Sequence, residues 1–172
     1  GRAADNALGN LKTLTSYQAL SKQLAKGDPS YYVEAAVARS LGKVGASRLA
    51  ELPEAETTLA QLKTVLEERP GWNEIVRAGA LGGISQFKSS TQALDILLQY
   101  TEPNIPNSLR LGAVRALGTL AQGQEKIGVD RILDRLEVIS REPQFRTQVT
   151  VVAALGTMEV AGAVRVLRGI AD

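Results

Sequence analysis

Four Leu-Gly pairs are spaced about one repeat length apart, at Leu41-Gly42, Leu81-Gly82, Leu117-Gly118 and Leu155-Gly156, at intervals of 40, 36 and 38 residues. A Pro precedes each Leu by 11 or 12 residues, at Pro29, Pro70, Pro106 and Pro143. One structural unit has therefore been copied four times, and the copy length limits what it can be. A period near 40 residues with helical patterning inside each copy is produced by stacked helix pairs.

Aligned on the Leu, the copies agree elsewhere. Val37, Arg77, Ala113 and Val151 lie four residues before it, and Ala38, Ala78, Val114 and Val152 three before. Ser40, Ala80, Ala116 and Ala154 come immediately before it, and Val44, Ile84, Leu120 and Met158 three after. Spacings of three and four place these residues on one helical stripe, so each copy holds an amphipathic helix of about 14 residues. Asp28-Pro29 reads as a side-chain cap with Pro in the first helical turn, and Asn107 or Ser108 as the cap of the third copy.

Glycine within a helix costs about 1 kcal/mol relative to alanine, so its recurrence needs a cause. Either the small residues let a neighbouring helix approach closely, or each Gly ends its helix in a left-handed cap. Neither reading involves a ligand.

Partner helices fall between these segments. Their apolar residues are Leu11, Leu14, Leu20 and Leu24, then Leu59, Leu62, Val65 and Leu66, then Leu94, Leu97 and Leu98, then Ile132, Leu133, Leu136 and Ile139. Val160, Val164, Leu167 and Ile170 mark a ninth segment with no partner after it. The expected order is outer helix then inner helix, four times, followed by one outer helix. The stretch from Lys43 to Thr57, containing Pro53, reads as a surface loop. An unpaired last helix leaves part of a seam open, and the chain opens Gly1-Arg2-Ala3 without a Met. Both lead to the expectation that 1–172 is a piece of a longer chain continuing past Asp172.

Composition removes several kinds of chemistry. The sequence has no Cys and no His, so thiolate catalysis, disulfides, Cys-ligated metal and imidazole acid-base chemistry are excluded. A net charge of +2 gives little basis for phosphate binding, and 4 % aromatics little for base stacking, so nucleic acid is not the expected partner. No apolar run approaches a membrane span and no signal peptide is visible, which leads to the expectation of a cytoplasmic protein.

The run from Leu109 to Leu120, Leu-Arg-Leu-Gly-Ala-Val-Arg-Ala-Leu-Gly-Thr-Leu, resembles the inner helix of a HEAT repeat, whose pattern is roughly V-R-x-x-A-A-x-A-L-G-x-I. Val33 to Val44 follows it with Glu34 in place of the Arg, and Thr147 to Met158 with Gln148 there; the second copy departs further, with Asn73 and Arg77 at apolar positions. The resemblance implies an all-α fold, a right-handed α-solenoid of about four HEAT-type helix pairs plus one terminal helix. It would form a single domain over 1–172, with repeats near 7–44, 57–85, 90–121 and 127–158 and a half-repeat at 159–171. HEAT arrays generally bind proteins.

A narrower resemblance rests on Asp28-Pro29-Ser30-Tyr31-Tyr32-Val33-Glu34-Ala35-Ala36 and on Trp72 to Leu81. Both are similar to the C-terminal helical region of bacterial aminopeptidase-N-like zinc peptidases. In that family an H-E-x-x-H helix and a G-x-M-E-N strand carry the chemistry, and neither motif occurs here. The resemblance implies a non-catalytic C-terminal domain with no cofactor of its own, zinc being held elsewhere in the parent enzyme. It would bind a protein or peptide, including the catalytic domain of the same chain. The alternatives are a free-standing HEAT adaptor and a HEAT protein of the kind that handles bilins as a chromophore lyase.

Candidate interaction residues are those that vary between copies. Tyr31, Tyr32, Trp72 and Phe145 fall just after the repeated Pro. They read either as binding anchors or as staples holding the helix start to its neighbour. Arg39, Arg77, Arg110, Arg115 and Arg146 fall on the inner helices, either as a basic ladder for an acidic partner or as ion-pair partners of Glu34, Glu74 and neighbouring carboxylates. Asp130 and Asp134, accompanied by Arg131 and Arg135, read as a solvated salt-bridged face.

Overall fold

A computed structural model describes residues 2–5, 12–48, 57–69, 74–122 and 128–171. The described residues are helical, with nine helices of nine residues or more and no strand. They are α1 (Leu14–Lys26), α2 (Tyr31–Arg48), α3 (Thr58–Glu68), α4 (Ile75–Ile84), α5 (Thr91–Gln99), α6 (Asn107–Leu120), α7 (Val129–Ser140), α8 (Phe145–Thr157) and α9 (Ala161–Ala171). The four Leu-Gly pairs lie on α2, α4, α6 and α8. No helix among the described residues is long and apolar enough to cross a membrane.

The helices form two compact units, Gly1–Phe87 and Lys88–Asp172. In the first, α2 packs along α4 while α1 and α3 cover their other sides. In the second, α6 packs along α8, with α5 against α6, α7 against α8, and α9 against both α7 and α8. Within each unit the Leu-Gly helices thus pack on each other and the alternate helices flank them. Leu41, Leu81 and Leu117 have no solvent exposure, and Leu155 almost none, so the four repeated leucines are all core residues.

The repeated glycines are helical and not terminal caps. A Cβ on Gly42 would overlap the Cα and carbonyl oxygen of Gly83, so α2 and α4 touch backbone to backbone there. Gly79 confirms the closeness: its Cβ would lie 2.6 Å from Ala35 Cα. In the second unit a Cβ on Gly118 would sit 2.9 Å from the Ala154 carbonyl oxygen and 2.8 Å from Thr157 Oγ1. A Cβ on Gly82 would meet only the Arg39 side chain, at 3.0 Å, and one on Gly156 would meet nothing within 4 Å. Close approach explains the first and third copies; the fourth is bare.

Three local expectations are corrected. The stretch after Lys43 is not a loop at its start, because α2 continues to Arg48. Val44 is fully buried there, and Gly45 lets Thr58 of α3 come within 2.7 Å of where its Cβ would be. The remainder of that stretch to residue 56 lies outside the described residues. Asp28 does not cap a helix beginning at Pro29; its Oδ1 accepts from the Ser30 N–H (2.8 Å) and α2 begins at Tyr31. Nor do Asn107 and Ser108 cap α6: they form its first turn, after Pro106 at the cap position with no side-chain bond.

Candidate functional site

Two of the predicted arginines are held by partners. Arg110 is nearly buried, and its guanidinium makes a two-pronged bond to Glu142: Nη1 donates to Oε2 (2.6 Å) and Nη2 to Oε1. Its Nε donates to the Thr101 carbonyl just past the end of α5 (2.6 Å). Planar guanidinium and carboxylate match in this way, and a bond between charged groups is stronger than a neutral one. The bond to Arg110 holds the Glu142 carboxyl below its ordinary range and raises the Arg110 guanidinium further.

The first unit holds the same clasp with its charges exchanged. Glu34 and Arg110 each lie seven residues before the Leu of their copies. Glu34 accepts from Arg69 Nη1, at the end of α3, and Arg69 Nη2 donates to the Leu24 carbonyl in the last turn of α1 (3.4 Å). In each unit, then, a residue on a Leu-Gly helix joins the segment entering the next one. The guanidinium also caps the carbonyl end of the preceding helix, where the helix dipole is negative. Arg77 does similar work, its Nε donating to the Leu66 carbonyl (2.6 Å) and its Nη1 to Glu74 Oε2 (3.1 Å).

Arg39, Arg115 and Arg146 are exposed. The five arginines therefore differ in setting: Arg77 and Arg110 are ion-paired to Glu74 and Glu142, while the other three are exposed. Three further cations are tied, of which Lys88 had no place in the sequence reading. Arg131 and Arg135 of α7 reach Asp95 (2.9 Å) and Glu102 (2.8 Å) in and after α5, matching an exposed salt-bridged face. Lys88 donates to the Thr119 carbonyl in the last turn of α6, and burial lowers its ammonium pKa from the ordinary lysine value.

The aromatic residues divide cleanly. Tyr17, Phe87 and Tyr100 are buried core residues, whereas Tyr31 is 44 %, Tyr32 51 % and Phe145 79 % exposed at the starts of α2 and α8. Tyr31 and Tyr32 are thus about half covered and Phe145 mostly open to water. Trp72 lies outside the described residues.

A cleft of about 750 Å³ opens between α7, α8 and α9, lined by Asp134, Glu137, Arg141, Gln148 and Arg165 among others. It carries both charge signs on flexible side chains and no nucleophile held against a base. No group of three or more metal-ligating residues occurs among the described residues. Compared with models of known protein families and with curated protein sequences, the chain matches none.

Proposed function

We propose that this chain is a non-catalytic helical-repeat scaffold, a right-handed HEAT-type α-solenoid, that binds a protein through exposed aromatic residues. Its partner, on this reading, is the catalytic region of an aminopeptidase-like zinc enzyme of which 1–172 is the C-terminal part. The adjacent, exposed Tyr31 and Tyr32 carry the proposal. Two neighbouring tyrosines about half exposed, while Tyr17, Phe87 and Tyr100 are buried, offer rigid amphipathic area of the kind that dominates binding energies. The backbone-close packing of α2 on α4 and of α6 on α8 supports the repeat array, and a sequence without His or Cys supports the non-catalytic role.

The coding sequence 5′ of the Gly1 codon tests the parentage. An in-frame H-E-x-x-H supports the peptidase, whereas further helix pairs alone would leave a free-standing adaptor. With the catalytic region expressed separately, calorimetric titration of 1–172 should show binding that Tyr31→Ala with Tyr32→Ala weakens roughly tenfold or more. Equal affinity for the double variant removes the tyrosines from the interface.

A further inference from the structure

We draw no further inference here: the strongest candidate, the cleft between α7, α8 and α9, carries nothing, because Asp134, Arg141 and Arg165 on its walls are exposed to water and nothing in the structure shows what covers it.

Discussion

The substitution Gly→Ala at three equivalent positions should give three different results, because the structure surrounds the three glycines differently. Alanine gains about 1 kcal/mol in helix propensity at each site. At Gly156 nothing opposes that gain, so Gly156→Ala should stabilise the fold by about 0.5–1 kcal/mol. At Gly118 the new methyl would lie 2.9 Å from the Ala154 carbonyl oxygen and 3.0 Å from its Cα, so α8 must retreat by about half an ångström to restore ordinary contact. Overpacking of that size costs about 1–3 kcal/mol, leaving a net loss of about 1 kcal/mol after the propensity gain. At Gly42 the methyl overlaps the Gly83 backbone itself, which no rotamer can relieve. The net loss there should be about 2 kcal/mol or more. Urea unfolding followed by circular dichroism measures all three. The ranking Gly156→Ala, Gly118→Ala, Gly42→Ala in falling stability is the test. A neutral Gly42→Ala would mean that α2 and α4 are not held in backbone contact, and a destabilising Gly156→Ala that the α8 face is covered.

Leu117→Ala should cost about 2–5 kcal/mol by the same measurement, since Leu117 is fully buried; a loss below about 0.5 kcal/mol would misplace the core. Glu142→Gln should cost about 1–3 kcal/mol by leaving the Arg110 charge uncompensated, and Arg110→Glu combined with Glu142→Arg should recover most of that loss by reproducing the Glu34–Arg69 polarity. Because Arg110 depresses the folded Glu142 carboxyl, its stabilisation is present above the unfolded value near about 4.3 and is lost as the pH falls through the folded value. Acid titration of unfolding free energy should therefore be flatter below about pH 4 in Glu142→Gln than in the wild type. Purified 1–172 should hydrolyse no aminoacyl substrate with or without added zinc; a turnover that survives repurification would refute the non-catalytic reading.

The helices were legible because a copied pattern repeats its own evidence: four Leu-Gly pairs locate four helices even where one copy, with Arg77 at an apolar position, departs from the others. The end of α2 was not legible, since Gly45, Ala46 and Ser47 have the composition of a loop and become helical through contact with Thr58 and burial of Val44. The clasps were only half visible. Glu34 and Arg110 stood out as unlike residues at one repeat position, but their partners lie 35 and 32 residues away on segments that alignment to the Leu does not bring together. The bare face of α8 could not be foreseen at all. Val149 and Val152 have the same spacing as the buried Leu111 and Val114, and periodicity tells which side of a helix is apolar without telling whether anything lies against it.

The opposite polarity of the two clasps has a consequence for assembly of the chain. In the first unit the Leu-Gly helix offers a negative group and the incoming segment a positive one; in the second the signs are reversed. A folding intermediate that docked α8 and its leading segment against α2 would bring Glu142 toward Glu34, and one that joined α6 to the segment before α4 would bring Arg69 toward Arg110. Copies that share one apolar pattern are open to such exchanges, because their packing faces resemble one another. The charge reversal sets like charges against each other at an exchanged junction and opposite charges at the native one, a penalty that falls on the wrong order alone.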